Sequence, residues 1–311
     1  MSPRRSAFID IGTNAILCLI ADIRDTGRFR VLDDLADIAR LGQGVDRTGL
    51  ISPEGEQCAL VVLERYRDHC RNLGVEEITA VGTSALRDAA NSAEVRARWR
   101  ARLGFNVRVI SGNEEAAYSF LAVQRGLSCG AQELLVIDIG GGSTEFIRGN
   151  ESGVARAVSI DIGSVRLTER FLHSDPVRPD EVALMAAAIE REIALLPGRG
   201  ICPDPRLSLI GIAGTFTTLA AVEQKLARYS HGDVHGSCLT RAAAYRQIGL
   251  YQENAVAERK KIVGMDPKRA DVIFAGAYLI ERLMAFFHAD KVIVSDQGVR
   301  YGLLHEMAVP H

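Results

Sequence analysis

The sequence predicts an α/β protein with a duplicated fold, and three observations lead to that prediction. The chain has 311 residues, well above the ~150 that are typical of one domain. Short β-rich apolar runs alternate with stretches of helical spacing, a pattern that favours α/β domains. A strand that ends in Asp-x-Gly and turns into a second strand occurs twice, at Asp10–Thr13 and at Asp138–Gly141. An internal repeat of this kind indicates two copies of one domain.

The first half of the chain predicts a β-hairpin followed by alternating helices and strands. Two apolar runs surround the turn at residues 12–14, which is typical of a hairpin. Ser52 before Pro53 predicts a helix start, because Ser is a good N-cap and Pro suits the first helical position. The predicted strands are Ala7–Ile11, Ala15–Ile23, Val31–Ile38, Ile78–Val81 and Val107–Ile110, and the further helices are Asp88–Leu103 and Glu114–Arg125.

The second half restarts the same pattern near residue 134. Strands are predicted at Leu134–Ile137, Thr144–Arg148, Ser208–Ile212 and Lys291–Val294, and helices at Pro179–Leu196, Arg241–Tyr251, Lys268–Phe287 and Arg300–Met307. We expect one domain over residues 1–125, to which residues 296–311 return, and a second domain over residues 126–295.

Composition excludes several classes of protein. Hydrophobic residues make up 47% and charged residues 24%, values that are ordinary for a folded globular chain. The net charge of −2 argues against a nucleic-acid binder or a membrane-surface binder. The six cysteines form no C-x-x-C pair, which favours reduced thiols and a cytoplasmic protein. No secretory signal peptide and no apolar run of ~20 residues is apparent, so we expect no membrane span.

The repeated Asp-x-Gly turn suits the binding of phosphate and of a divalent cation. Glycines let backbone N–H groups approach phosphate oxygens closely, and an Asp at the strand end can hold a metal ion. A third glycine-containing loop, at 211–218, follows a strand and opens a helix, so Gly214 and Thr215 are candidates for an anion site. The sequence lacks a P-loop motif, and a strand rather than a helix follows Asp138–Ser143, which excludes the usual dinucleotide-binding turn.

Several motifs together resemble the exopolyphosphatase/guanosine pentaphosphate phosphohydrolase family of the actin-like ATPase superfamily. They are DIGTN at 10–14, TSALRDA at 83–89, SGNEEA at 111–116, DIGGGSTE at 138–145, SIDIGSVRLTE at 159–169, GIAGTFTTL at 211–219, VHG at 234–236 and RADVI at 269–273. The resemblance extends from about residue 7 to about residue 305. It implies a duplicated actin-like (ribonuclease H-like) fold, in its short two-domain form, with an interdomain cleft.

The resemblance also implies roles for individual residues. Glu115 matches the family's catalytic glutamate, which positions the attacking water, and Arg87 matches an arginine that faces the transferred phosphate. Asp138 and Glu145 match an acidic pair that holds Mg²⁺, with Mn²⁺ as the alternative, and Asp10 is their counterpart in the first copy. The expected phosphate-binding residues are Gly12, Thr13, Asn14, Gly140, Gly141, Gly142, Ser143, Thr144, Gly214 and Thr215. Gln297 departs from the family, in which an arginine is common at that position.

The implied function is exopolyphosphatase activity, the Mg²⁺-dependent hydrolysis of the terminal phosphate of inorganic polyphosphate. Alternatives stay open: a guanosine pentaphosphate 5′-phosphohydrolase, an actin-like kinase, or a non-catalytic sensor that binds alarmone nucleotides or polyphosphate. The basic segments at 259–261 and 268–269 are candidates for a polyphosphate path, whereas the alternating arginines at 96–102 are typical of a solvated helix face. A homodimer is one expected assembly.

Overall fold

A computed structural model describes residues 3–127 and 133–309, so that Cys129 lies outside the described residues. By its packing the chain divides into two compact units, Met1–Ala122 with Val299–His311, and Val123–Gly298. The domain boundaries expected from the sequence, at 125/126 and 295/296, stay a prediction, because a division by packing does not test independent folding.

The first unit contains a five-stranded mixed sheet. Its strands are β1 (Arg4–Ile11), β2 (Ala15–Ile23), β3 (Phe29–Ile38), β4 (Glu77–Gly82) and β5 (Val107–Val109). Their order is β3-β2-β1-β4-β5. β1, β2 and β3 form an antiparallel meander, and β4 and β5 add in parallel beside β1. The five strands predicted for this half are confirmed, with ends that differ by a few residues.

The helices of the first half cover this sheet. They are α1 (Val45–Thr48), α2 (Pro53–Asn72), α3 (Ser84–Asp88), α4 (Ser92–Leu103) and α5 (Gly112–Gly126). The predicted start of α2 is confirmed, because the Ser52 side chain accepts a hydrogen bond from the Gly55 N–H at 3.0 Å. The prediction of one helix over Asp88–Leu103 was wrong. The chain is extended at Ala89, and the N–H of Ala90 leaves helical pairing to bond the Gly49 carbonyl at 2.9 Å.

The second unit repeats the topology of the first. Its strands are β6 (Leu134–Ile139), β7 (Thr144–Asn150), β8 (Gly153–Ile160), β9 (Ser208–Ile212), β10 (Cys238–Thr240) and β11 (Lys291–Val294). Their order is β10-β11-β9-β6-β7-β8. β6, β7 and β8 form an antiparallel meander and β9 lies parallel beside β6, as β4 does beside β1. The predicted duplication is confirmed, although neither β8 nor β10 was among the predicted strands.

The helices of the second half are α6 (Ser164–Phe171), α7 (Pro179–Ile193), α8 (Ala213–Glu223), α9 (His231–Val234), α10 (Arg241–Glu253), α11 (Val256–Arg259), α12 (Ile273–Phe286) and α13 (Val299–Met307), of which α13 belongs to the first unit. The helix predicted at Lys268–Phe287 begins only at Ile273 in the structure. The segment before it forms a turn, in which Asp266 accepts the Lys268 N–H at 2.9 Å. Among the described helices, none is both long and apolar enough to cross a membrane.

Burial on both faces of the central strands explains their continuous apolar runs. In β1, Ala7, Ile9 and Ile11 pack in a cluster that also contains residues of α2 and α4. Phe8 points to the opposite face, into a cluster that contains residues of α13. A strand buried on both sides needs apolar residues at successive positions. Asp10 interrupts such a run near the end of β1, so its presence needs a reason other than packing.

Candidate active site

The two Asp-x-Gly turns are closed by the same backbone hydrogen bond. In the first turn the Gly12 N–H donates to the Ala15 carbonyl at 2.9 Å, and in the second the Gly140 N–H donates to the Ser143 carbonyl at 3.0 Å. A Cβ added at Gly12 or Gly140 would lie 3.1 or 3.2 Å from that carbonyl oxygen. Such a contact is tight, which gives a physical reason for glycine at the same position of both loops.

The carbonyl groups of the second loop are held by the start of α6. The Gly140 carbonyl accepts the Ser164 N–H at 3.0 Å, and the Gly141 carbonyl accepts the Val165 N–H at 2.9 Å. A trans peptide places its C=O and the following N–H on opposite sides. The N–H groups of Gly141 and Gly142 therefore point away from α6, and within residues 3–127 and 133–309 neither has a hydrogen-bond partner. Neighbouring free amides of this kind form an anion-binding concavity.

The first loop is arranged in the same way by a different segment. The Asn14 carbonyl accepts the N–H groups of Ala39 and Arg40 at 3.0 and 2.9 Å, and the Thr13 carbonyl accepts the Gly42 N–H at 2.8 Å. By the same reasoning the Asn14 N–H points away from that segment. The Asn14 side chain is buried, and its Nδ2 has no hydrogen-bond partner among the described residues. The first loop therefore also presents donors for which the described chain supplies no acceptor.

Asp138 and Glu145 lie directly opposite each other across the β6–β7 hairpin. Residues that face each other in an antiparallel pair project their side chains from the same face of the sheet, so the two carboxylates share one face. Glu145 is buried, and its Oε1 accepts a hydrogen bond from the Ser159 hydroxyl at 2.9 Å. In the first unit the residue opposite Asp10 is Leu17. An acidic pair at this position is thus a feature of the second unit.

This pair has the donor chemistry that Mg²⁺ prefers. Mg²⁺ binds oxygen ligands and is commonly held by one or two carboxylates together with water and substrate phosphate oxygens. No cluster of three or more His, Cys, Asp or Glu side chains suited to a metal ion occurs in the part of the chain that the structure describes. Two carboxylates on one face fit a site that substrate and water complete, and do not fit an all-protein metal site.

Glu115 lies in the first turn of α5 and contacts Arg87. Its Oε2 accepts a hydrogen bond from Arg87 Nη1 at 2.9 Å, and the Glu115 side chain is 12% exposed. Arg87 Nη1 also donates to the Ile110 carbonyl at 3.2 Å. Burial raises the pKa of Glu115, the contact with Arg87 opposes that rise, and the charge of Asp88 adds to it. A glutamate with a raised pKa is a stronger base than an exposed one.

The neighbouring Glu114 is hydrogen-bonded to the start of helix α5. Its carboxylate accepts hydrogen bonds from the N–H and the hydroxyl of Ser111 at 2.8 and 2.9 Å, and it pairs with Arg108. The bonds to Ser111, followed by that to Arg108, lower the pKa of Glu114 to about 2. Glu114 therefore caps α5, whereas Glu115 is the carboxylate with basic character.

Asp10 is a half-buried carboxylate at the end of β1. Burial, and then the like charge of Glu115, raise the pKa of Asp10 to about 7, against an opposing effect of Arg300. Arg300 is itself engaged by Asp34 in a two-pronged ion pair at 2.8 and 2.9 Å. Within the described residues, Asp10 Oδ1 is buried without a hydrogen-bond partner. A buried oxygen atom without a hydrogen-bond partner is costly, so packing alone does not explain Asp10.

The third loop carries a strained residue and a covering arginine. Ala213 has a φ of 69°, a left-handed conformation that is uncommon for alanine. A Cβ on Gly214 would lie 2.1 Å from the Arg269 guanidinium, so only glycine lets that planar cation lie on the loop. Among the described residues, no hydrogen bond or ion pair of the Arg269 side chain is present, and burial lowers its pKa. From the sequence, Arg269 belonged to a basic segment and to the motif RADVI at 269–273; its packing on Gly214 required the fold.

Two of the expected phosphate-binding hydroxyl groups are turned inward. Thr144 Oγ1 donates to the Ile162 carbonyl at 2.6 Å, and Thr215 Oγ1 donates to the Ile139 carbonyl at 3.4 Å. Both side chains are buried. These two hydroxyl groups fix the loops to their neighbours, so that neither is available to donate a hydrogen bond to phosphate.

The basic segments have mostly structural partners. Arg259 is buried and bonds the carbonyls of Tyr251 and Asn254 at 2.7 and 2.9 Å, so it does not line a polyphosphate path. Arg98 and Arg102 of α4 are exposed, as expected for a solvated helix face, and they also pair with glutamates of α2. Arg269 is the cation of these segments that lies against a candidate loop.

The repeated topology and the repeated Asp-x-Gly turn define an α/β protein of the duplicated actin-like type. Residues 19–311 match the Ppx/GppA phosphatase family, and the chain belongs to that family. It is 35% identical to exopolyphosphatase 2 of Mycobacterium tuberculosis over 99% of this chain and 100% of that protein. A solved Ppx/GppA family member of Aquifex aeolicus is 33% identical with a TM-score of 0.81, covering 98% of each chain. A solved exopolyphosphatase of Cytophaga hutchinsonii is 29% identical with a TM-score of 0.88, again covering 98% of each chain.

Proposed function

We propose that this protein is an exopolyphosphatase that hydrolyses the terminal phosphate of inorganic polyphosphate by direct attack of water. The observation that carries the proposal is Glu115, a half-buried carboxylate of raised pKa that contacts Arg87. Membership of a phosphatase family and the similarity to exopolyphosphatases support it.

In this reaction the oxygen of water forms a bond to the terminal phosphorus as the bond to the bridging oxygen breaks. Glu115 accepts the proton of the water, and the products are orthophosphate and a chain one phosphate shorter. The Arg87 guanidinium offsets negative charge on the transferred group. The free amides of the glycine loops hold phosphate oxygens.

Mg²⁺ would be held by Asp138 and Glu145, and it would neutralise charge on the phosphate oxygens. Mn²⁺ is the alternative ion for the same oxygen donors. Asp10 is their counterpart in the first unit and a separate candidate for holding a divalent cation, because its buried Oδ1 lacks a hydrogen-bond partner among the described residues.

A second candidate function is the 5′-hydrolysis of guanosine pentaphosphate. One observation favours it: among the described residues the Arg269 guanidinium has no hydrogen-bond or ion-pair partner, and Tyr229, whose effect on the pKa of Arg269 follows those of burial and Asp266, is 49% exposed. A planar cation and an exposed aromatic ring can both stack on a nucleobase. A polyphosphate chain has no aromatic base that could stack on the Tyr229 ring.

The test is phosphate release from long-chain polyphosphate with Mg²⁺, using the wild type, Glu115→Gln and the matched control Glu114→Gln. We expect Glu115→Gln to lose roughly 10²–10⁴-fold in kcat, the range for a general base. Glu114→Gln should keep kcat, because Glu114 bonds only the helix start and Arg108. Addition of EDTA should abolish release.

Equal activity of the two variants would show that Glu115 is not the base that accepts the proton of the attacking water. A wild type that is inactive on polymer but releases phosphate from guanosine pentaphosphate would establish the second candidate. Binding of either compound without turnover would identify a sensor.

A further inference from the structure

Three polar residues form one row across adjacent strands of the second unit. Asp138 on β6 pairs with Glu145 on β7, and Glu145 pairs in turn with Ser159 on β8. Directly opposed residues in an antiparallel sheet share a face, so the three side chains project from the same side of the meander. Ser159 therefore extends the acidic pair by one strand.

The first unit provides an internal comparison. Its corresponding row consists of Asp10, Leu17 and Ala36 on the same three strands of the meander. The meander thus forms equally well with an aliphatic residue at the middle position and a methyl group at the third. The serine of the second unit is not required by the fold, and it occurs in the row that carries a carboxylate in the middle.

The contact within the row fixes the orientation of Glu145. The Ser159 hydroxyl donates to Glu145 Oε1 at 2.9 Å. A glutamate has several rotatable bonds, and a donor on one oxygen restricts the carboxylate to fewer orientations. The backbone of Ser159 is itself anchored, because its carbonyl accepts a hydrogen bond from Arg199 Nη1 at 3.2 Å. The Ser159 backbone is therefore held in place, and the Glu145 carboxylate adopts the orientation that accepts the Ser159 hydroxyl.

We propose that Ser159 is a positioning residue, which holds the Glu145 carboxylate in the orientation that binds the divalent cation together with Asp138. The inference rests on the proposed function, and it adds a residue that acts on the cation through Glu145 without touching it. Partners of metal-binding side chains commonly change metal affinity or activity by 10–100-fold when removed.

The test uses the full chain and the variants Ser159→Ala, Ser159→Thr and the control Ser152→Ala. Ser152 lies in the exposed turn between β7 and β8. Binding of Mn²⁺ without substrate is followed by the electron paramagnetic resonance signal of the free ion. The Mg²⁺ concentration for half-maximal phosphate release is measured separately from kcat at saturating Mg²⁺.

We expect Ser159→Ala to weaken Mn²⁺ binding and to raise the half-saturating Mg²⁺ concentration by roughly tenfold, with kcat at saturating Mg²⁺ within about twofold of the wild type. Ser159→Thr keeps a hydroxyl at an exposed position, so it should restore both values. Ser152→Ala should behave as the wild type.

Unchanged Mn²⁺ binding and Mg²⁺ dependence in Ser159→Ala would overturn the inference while leaving an active wild type and its proposed function intact. A threonine that fails to restore what alanine removes would also overturn it, because the effect would then not belong to the hydroxyl. A wild type that neither binds Mn²⁺ nor depends on Mg²⁺ would overturn both the inference and the proposed metal site. A wild type that binds Mn²⁺ but releases no phosphate would overturn only the proposed function. The role of Ser159 would then still be tested by Mn²⁺ binding to the variants.

Discussion

Replacement of Asp10 by asparagine should stabilise the first unit, and the gain should depend on pH. The pKa of Asp10 is raised to about 7 from an ordinary value of 3.8, first by burial and then by the charge of Glu115. Between these two values the native protein keeps a proton that the unfolded chain has released. The free energy of unfolding of the wild type therefore falls as pH rises through this window, and it levels off above about pH 7.

The size of the effect follows from the two pKa values. Each pKa unit corresponds to about 1.4 kcal/mol, so a rise of about 3 units costs the ionised protein at most about 4 kcal/mol at pH 8. Two of those units lie between pH 5 and the native pKa. Asparagine resembles the protonated carboxyl and does not titrate. Its advantage over the wild type should therefore grow by about 3 kcal/mol from pH 5 to pH 8.

The assay is urea unfolding with EDTA present, followed by the fluorescence of Trp99. This is the single tryptophan of the chain, and it is fully buried in the first unit, so its signal reports on the unit that contains Asp10. Asp22→Asn is the matched control. Hydrogen bonds from Arg5 lower the pKa of Asp22, so its replacement should destabilise the unit at pH 8, with a deficit that shrinks in acid.

A constant difference between Asp10→Asn and the wild type from pH 5 to pH 8 would refute the reasoning. So would a wild type that is the more stable protein at pH 8. Glu115→Gln removes the second cause of the raised pKa, and in that background the gain from asparagine should be smaller. A gain unaffected by Glu115→Gln would leave burial as the sole cause. Asp10→Asn should also lose phosphate release, since stabilisation and function oppose each other at such a site.

Two further predictions concern the second unit. Gly163→Ala would place a Cβ 2.5 Å from the Gly141 carbonyl oxygen, so the backbone must shift, and the variant should lose most phosphate release and about 1–3 kcal/mol of stability. The control is Gly249→Ala, whose added Cβ meets no atom within 4 Å and which should keep both activity and stability. Equal activity of the two variants would contradict the expectation. His235 has a pKa raised mainly by its hydrogen bond to Asp296, so it stabilises the protein in acid and this contribution is lost as pH rises through the raised pKa. Calorimetry should show His235→Gln with a lower melting temperature than the wild type at pH 5.5 and a smaller deficit at pH 8.5, and a deficit that grows with pH would be inconsistent with this.

The sequence predicted the parts of the site that depend on local pattern. The Asp-x-Gly turns form with the same closing hydrogen bond in both copies, because a glycine turn between two apolar runs has few alternatives. The sequence also favoured Glu115 over Glu114, although only by position in a motif. The physical distinction, one carboxylate capping the helix and the other contacting Arg87, appears only when α3 and α5 are placed together.

Predictions failed where distant segments compete with local preference. The run from Asp88 to Leu103 has helical spacing, yet it breaks at Ala89, because the next N–H bonds the Gly49 carbonyl, which no local pattern encodes. The start of α12 was misplaced because Asp266 closes a turn ahead of it. Thr215 was a candidate for an anion site because its loop follows a strand and opens a helix, and its hydroxyl instead bonds a carbonyl of β6.

By itself, the sequence determined the duplicated α/β fold and the positions of its two Asp-x-Gly turns, because apolar periodicity and glycine turns are local signals. Tertiary structure decided which groups of those loops are free. The amides of Gly141 and Gly142 are available because α6 holds the neighbouring carbonyls. Likewise, the raised pKa of Asp10 arises from burial and from Glu115, a residue more than a hundred positions away. Electrostatics and hydrogen-bond satisfaction depend on what surrounds a group in space, and only the folded chain specifies that.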